Sequence, residues 1–288
     1  MKVVLAGAYG KLGSDILKTL VARGYDVVAA DMAFKSFPET DGKVTNVKID
    51  VTNPETLKGL CDGAEAVITT VGLTGSSATI TNYDIDLNGN LNILAEAKKA
   101  GVKYFNYISV LKADGDTKVP MLDAKAKFEA ELKKSGIQYT IYRPTGYFYD
   151  IVKVLRPMVE KGEVTLLGKN PVSANVVDTP DFAAFIVDHM MDQNKTYDVG
   201  GKETWTYEEI ANMCFDAAGK PAVIKRAPVF LFSVLAWSAK RKKNGKEAII
   251  RFSKWTLSNE MVGSTKTGDA SFKEYIYKSL SDLKGGNK

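Results

Sequence analysis

The sequence predicts an α/β protein: a doubly wound parallel sheet with a small C-terminal lobe. Three observations predict it. Short apolar runs alternate with helix-period segments through the first 145 residues. The segments joining successive strands are long enough for right-handed crossovers. A glycine-rich turn stands directly between the first strand and the first helix.

The elements follow in order. "KVVLAG" is a continuous apolar run, as a strand buried on both faces requires; "SDILKTLVARG" carries Ile16, Leu17, Leu20 and Val21 at helical spacing and stops at Gly24. "YDVVAAD" and "VTNVKID" are the next two strands. "NPETLKGLC" is a short helix with Asn53 as cap and Pro54 at its first position. "AEAVITTVG" is the fourth strand, and a Gly/Ser/Thr-rich loop leads to a helix around "LNGNLNILAEAKKAG". "VKYFNYIS", the helix "LDAKAKFEAELKKSG" and the strand "IQYTIYRP" complete the alternation. Beyond Pro144 the pattern loosens into a helix near 147–161, a strand "EVTLLG", a helix from Asp181, a strand "TYDVGG" and a helical C-terminal third. These boundaries give a core over 1–156 and a lobe over most of 157–288, with 176–200 returning to the core. There are no internal repeats and no low-complexity linker, so the lobe is expected to grow out of the core.

A chain of 288 residues, 45% hydrophobic and 25% charged, can bury a full core. Its net charge of +5 is spread along the chain without a basic motif, which argues against nucleic acid as a partner. Cys61 and Cys214 match no metal-ligand spacing and are read as buried or free thiols in a reducing compartment; no metal is expected. The one histidine, His189, sits inside "DFAAFIVDHMMD" and is read as structural. The first strand begins at Lys2 or Val3, which leaves no room for a targeting segment ahead of it, so a cytoplasmic protein is expected. No apolar run is long enough to span a membrane. Residues 227–237, "APVFLFSVLAW", run into the basic "SAKRKKNGK", so 227–246 could make weak contact with an anionic membrane surface. A buried or lobe-packing helix with a solvated basic end is the competing reading, and the oligomeric state is left open.

"GAYGKLG" places Gly7, Gly10 and Gly13 at the mouth of the first helix. A pyrophosphate needs a tight turn, bare backbone and helix N–H groups at the positive end of a dipole, and residues 7–13 offer them. Within that turn Tyr9, Lys11 and Leu12 fall on the binding side with the glycines. Asp31 ends the second strand 18 residues after Gly13, where a carboxylate can accept hydrogen bonds from a ribose. A dinucleotide is therefore the expected cofactor. The negative charge of Asp31 disfavours a 2′-phosphate, so NAD(H) is favoured; Lys11 and Lys35 could offset that charge, so NADP(H) stays open.

The GxxGxxG spacing resembles the short-chain dehydrogenase/reductase superfamily in its extended or atypical branch, a Rossmann-type fold, over nearly the whole chain. "KID-VT" (Asp50, Val51) resembles the adenine-edge motif. "TTVG" (Thr69, Thr70, Val71, Gly72) resembles the loop beneath the cofactor. "DLNGNLNILAEAKKAGVKYFNYIS" is similar to the stretch ending at the active-site serine, here Ser109, and "YRPTGYF", with Pro144 and Thr145, resembles the turn bordering the nicotinamide. The resemblance implies that Ser109 lies beside the substrate and Lys125 against the nicotinamide ribose. Lys125 also falls in an apolar stripe with Met121, Phe128 and Leu132, where a charge needs a partner such as cofactor hydroxyls or backbone carbonyls. A lysine snorkelling out of the stripe is the alternative.

Four residues before Lys125 the superfamily carries a tyrosine as acid or base; this chain carries Met121. Methionine donates no proton, which puts alcohol dehydrogenase and sugar epimerase chemistry in doubt. Hydride transfer to an activated carbon–carbon double bond needs no phenol there, and the later proton could come from water, Lys125 or a tyrosine such as Tyr147 or Tyr149. Residues 119–212 look most like divinyl chlorophyllide vinyl reductases and, more loosely, NmrA-type proteins. The expected function is thus NAD(P)H-dependent reduction of such a double bond on a hydrophobic or planar small molecule, held by a substrate-facing lobe. The alternatives are a non-catalytic dinucleotide sensor or assembly factor and an NAD-dependent epimerase or dehydratase.

Overall fold

Val3, Val4, Leu5 and Ala6 are fully buried in β1 (Lys2–Ala6), as a central strand covered on both faces demands. The computed structural model describes residues 1–34, 42–73, 75–114, 118–168, 171–243 and 245–285. These form two compact units, Met1–Arg143 with Phe182–Tyr197, and Pro144–Asp181 with Asp198–Lys288.

In the first unit β1 pairs in parallel with β2 (Asp26–Asp31) on one side and β4 (Ala66–Thr69) on the other. Beyond β2 lies β3 (Val44–Lys48); beyond β4 come β5 (Tyr104–Ile108) and β6 (Gln138–Pro144), followed by β9 (Lys195–Gly200), which begins in this unit. The chain order reverses between β1 and β4, so their C-terminal ends open a crevice, the usual ligand position in such sheets. On one face of the sheet Phe105 and Tyr107 pack with Ile93 and Ala97 of α2 (Asn90–Lys99) and Phe128 and Leu132 of α3 (Pro120–Lys134). The large apolar side chains among them, such as Phe105, Phe128, Ile93 and Leu132, each contribute roughly 1.5–3 kcal/mol by leaving water.

The expected strands and helices are all present, with shifted ends. Helix α1 (Lys11–Ala22) starts at the glycine turn, three residues before Ser14. The "NPETLKGLC" segment is a 3₁₀ turn, Pro54–Leu57, with Asn53 Oδ1 accepting from Glu55 N as cap. Helix α2 is preceded by a π-helical turn, Tyr83–Gly89, within which the Asn90 Nδ2 donates to the carbonyls of Ile85 and Asp86. Cys61 and Cys214 are buried, free, and have their thiols pushed up to about 12, chiefly by burial. The His189 ring packs at a tilt against Phe185 and Tyr197, and its Nδ1 lies 3.0 Å from Asp192 Oδ2.

The second unit holds α4 (Phe148–Glu160), β7 (Val164–Leu167) and β8 (Ser173–Ala174), and α5 (Thr179–His189) begins in it. After β9 come β10 (Trp205–Thr206), α6 (Tyr207–Ala217), β11 (Ile224–Ala227), α7 (Phe230–Arg241), α8 (Lys246–Thr256), β12 (Thr265–Lys266) and α9 (Phe272–Leu280). Strand β11 pairs with β7, β10 with β8, and β12 with Val199 and Gly200 of β9. A boundary at 156/157 would cut α4 in the middle; the units part at Arg143/Pro144, and the segment that returns to the first is Phe182–Tyr197.

Candidate functional site

The glycines of the turn after β1 differ in what they are for. Gly7 has φ +80° and a Cβ on it would lie 2.4 Å from Thr70 Oγ1; one on Gly13 would lie 2.0 Å from the Gly7 carbonyl oxygen. Those two are required by the chain's own packing. Gly10 has φ −64°, is exposed, and would bring a Cβ no closer than 3.4 Å to Gly7 O. Its missing side chain leaves open space at the N-terminus of α1, where no side chain caps the helix, and this suits a phosphate. Leu12 is buried and Lys11 exposed, so at these positions the helix offers its backbone and one cation. Thr70 Oγ1 donates to Gly7 O at 3.0 Å and so ties the loop after β4 to the glycine turn.

At the end of β2, Asp31 Oδ2 accepts from Tyr9 N at 2.9 Å and Oδ1 from Met32 N at 2.7 Å. The carboxylate thus braces the glycine turn, with lone pairs left for a ribose. The Tyr9 phenol donates to Asn46, and burial, then Asp31, raise its pKa. Lys35 lies outside the described residues. Asp50 Oδ1 accepts from Thr52 Oγ1 and N at 2.7 and 2.9 Å, which holds its carboxyl below the usual range. Val51 is buried, and its carbonyl accepts from Asn92 Nδ2 at 2.9 Å.

The loop Thr70–Gly72 meets Lys125. Asn90 fastens the loop's start, accepting from Thr69 Oγ1 at 2.8 Å and donating to Val71 O at 3.2 Å. A Cβ on Gly72 would fall 3.5 Å from Lys125 Nζ and 2.9 Å from Asp86 Oδ1. Lys125 is buried and does not run out to solvent: Nζ donates to Ile108 O at 3.2 Å, lies 3.5 Å from the Tyr107 hydroxyl, and faces Asp86 Oδ1 at 3.1 Å. The backbone carbonyl was expected; Asp86 was not. Nothing in "NYDIDLNG" marks one aspartate over its neighbour, and only the π-turn brings Asp86 inward. Its Oδ2 accepts from Asn82 Nδ2 and Leu73 N, while Oδ1, for all its ionic contact, has no hydrogen-bond partner among the described residues. Lys125 Nζ, 3.1 Å away, is the cation that compensates Oδ1, and a carboxylate beside an ammonium can also engage a hydroxyl such as a ribose offers.

Ser109 is placed differently from the expectation of a hydroxyl facing substrate. Its Oγ donates to Glu129 Oε1 at 2.6 Å, and Glu129 is held by Arg143 through Nε at 2.9 Å and NH2 at 2.5 Å. All three side chains are buried, and Arg143 also reaches Asp114 at 3.1 Å. Ser109 therefore can only accept from a ligand in this geometry. The buried stripe of α3 runs through Leu122, Lys125, Phe128 and Leu132; Met121 is half-buried beside it. Two phenols missed in the sequence stand near this helix. Tyr107 is fully buried, its pKa raised well above the usual value by burial, then by Asp86 and Glu129. Tyr83 donates to Asp123 at 2.8 Å, two residues beyond Met121.

Pro144, Thr145 and Tyr147 belong to the second unit. Thr145 is locked by Oγ1 donating to Asn175 O at 2.8 Å and N donating to Val199 O at 3.1 Å. Tyr147 caps α4 and stacks on Tyr149 with centroids 5.6 Å apart. Burial, then Tyr149 and Asp150, raise its phenol far above the usual value, so it keeps its proton at neutral pH.

The reversal of strand order between β1 and β4, the open glycine turn and the buried Asp86–Lys125 pair beside Gly72 define a Rossmann-type dinucleotide-binding protein. The chain belongs to the NAD(P)H-binding family, which it matches over residues 7–193. It is 28% identical over 263 residues to the photosystem II assembly factor Ycf39 of Synechocystis, covering 90% of this chain and 77% of the relative. It is 27% identical to the chloroplastic divinyl chlorophyllide a 8-vinyl-reductase of Arabidopsis thaliana, over 83% of this chain and 64% of that protein. Among solved structures, the NADPH-dependent quinone oxidoreductase of Escherichia coli complexed with NADPH superposes with a TM-score of 0.72 at 19% identity, covering 97% of this chain and all of that one, a likeness of fold.

Proposed function

We propose that the protein is an NAD(H)-dependent reductase acting on an activated carbon–carbon double bond of a hydrophobic or planar small molecule. The observation that carries this reading is the buried Asp86–Lys125 pair, 3.1 Å apart against Gly72, at the end of the loop that Thr70 ties to the glycine turn. Gly7, Gly10 and Gly13 would receive the pyrophosphate, Asp31 the adenine ribose, Asp50 and Val51 the adenine edge, and Lys125 with Asp86 the second ribose. When bound, the reduced nicotinamide supplies hydride. Met121 offers no proton to an alkoxide, which suits a carbon acceptor, whose later proton could come from water or Lys125. The likeness to a vinyl reductase supports a double bond as the acceptor.

A second reading, a dinucleotide-binding assembly factor or sensor without turnover, is favoured by one observation: the Ser109 hydroxyl is engaged by Glu129. The likeness to Ycf39 supports it. Cofactor oxidation against a panel of conjugated vinyl and enone compounds, divinyl tetrapyrroles, simple ketones and nucleotide sugars separates the two, with cofactor affinity measured alongside. Turnover on the conjugated compounds is the expected result; turnover on ketones or sugars alone overturns it, and tight binding without any turnover favours the second reading. NADPH binding at least about tenfold tighter than NADH, about 1.4 kcal/mol, would overturn the cofactor preference.

A further inference from the structure

We infer that the α7–α8 hairpin is a docking surface for an anionic lipid bilayer. Helix α7 is built inside out. Its small residues Ala236 and Ala239 are buried, while Phe230, Val234, Leu235 and Trp237 are 63%, 54%, 52% and 58% exposed. Phe230, Val234, Trp237 and Arg241 follow at i, i+4, i+7 and i+11, so three of the exposed apolar residues form one stripe that ends in a cation, with Leu235 off to its side. The hairpin that displays it is pinned by Lys254 Nζ donating to Ser233 Oγ at 2.8 Å, and α8 has no buried residue of its own.

Charge decides which occupant fits. Residues 240–246 hold five cations, Lys240, Arg241, Lys242, Lys243 and Lys246, and 227–246 hold no Asp or Glu. A protein groove matched to the stripe would have to present acids at fixed positions beside this basic end; the face of an anionic bilayer presents negative charge in any orientation. Arg241 lies 4.8 Å over the Trp237 ring, so an indole and a cation stand together where apolar stripe meets basic end. That pairing suits the boundary between acyl chains and headgroups, where aromatic rings settle and long cations reach outward. Among the described residues no helix is long and apolar enough to cross a membrane, so the contact is peripheral.

The full chain should co-sediment with vesicles of phosphatidylcholine and phosphatidylglycerol mixed at roughly three to one, and bind at least about tenfold more weakly when the Debye length shrinks to about 3 Å in molar salt. Phosphatidylcholine alone should leave it in solution. The charge reversals Lys240→Glu with Lys242→Glu, and separately Trp237→Ser, should each remove pelleting while nucleotide titration shows the first unit still folded. Failure to pellet with the anionic vesicles would overturn the proposal. So would equal binding to neutral vesicles, or a dimer in solution that Trp237→Ser dissociates while lipid binding is absent.

Discussion

Lys125 Nζ lies 3.1 Å from Asp86 Oδ1, and the two side chains are 10% and 1% exposed. An isolated charge in an apolar stripe would make Lys125→Met stabilising, by relieving the protein of a buried cation. The pair reverses that sign, because the substitution strands a buried carboxylate. Breaking such a pair costs about 3–5 kcal/mol, so Lys125→Met should lower stability by that order in chemical denaturation. Lys125→Met with Asp86→Asn should recover most of the loss, yet both variants should bind dinucleotide more weakly. Full stability of Lys125→Met would contradict the pairing.

The glycines of the first turn should separate by phenotype. Gly13→Ala puts a Cβ into the Gly7 carbonyl and should lower the thermal midpoint visibly. Gly10→Ala meets nothing closer than 3.4 Å in the chain itself. It should keep the wild-type midpoint and lose about tenfold in dinucleotide affinity, about 1.4 kcal/mol. Equal affinities for wild type and Gly10→Ala would remove the turn from the binding site.

Ser109→Ala removes a hydrogen bond to a buried carboxylate, worth about 1.5–3 kcal/mol. The expected result is reduced stability with nucleotide affinity retained. If the reductase reading holds, kcat falls as well; a stability loss with unchanged kcat would assign Ser109 to holding the Glu129–Arg143 pair and nothing more.

In the second unit, Glu203 accepts from Trp205 Nε1 at 3.1 Å, Ser271 Oγ at 2.8 Å and the amides of Phe272 and Lys273 at 3.0 and 3.3 Å. Burial pushes its carboxyl up, but these donors outweigh it and hold the pKa below the ordinary 4.5. A depressed folded value means that stability is fully present above about 4.5 and is lost as pH falls through the folded value. Acid titration of unfolding should show this loss, and Glu203→Gln should flatten that part of the profile.

The glycine turn, the strands and the helix order were legible because they depend on local rules: apolar period, a glycine where φ is positive, a cap before a proline. Gly7, Gly13 and Asp31 were singled out on that basis, and Lys125 by the family resemblance together with its place in an apolar stripe. Asp86, Glu129 and Tyr83 were not, since each acts across a gap in sequence. Asp86 meets a lysine 39 positions later, and Glu129 meets Arg143 across a strand and a turn.

The order of elements, the buried character of β1, the glycine turn and the basic end of 227–246 were determined by the sequence itself, because backbone geometry and water sort residues by type and period. Which charges are paired was decided only by the tertiary structure. A π-helical turn rotates Asp86 inward against Gly72, and the packing of α3 on β5 and β6 gives Ser109 to Glu129. Burial then sets the cost of each charge by the partner that reaches it, and a linear pattern does not encode that distance.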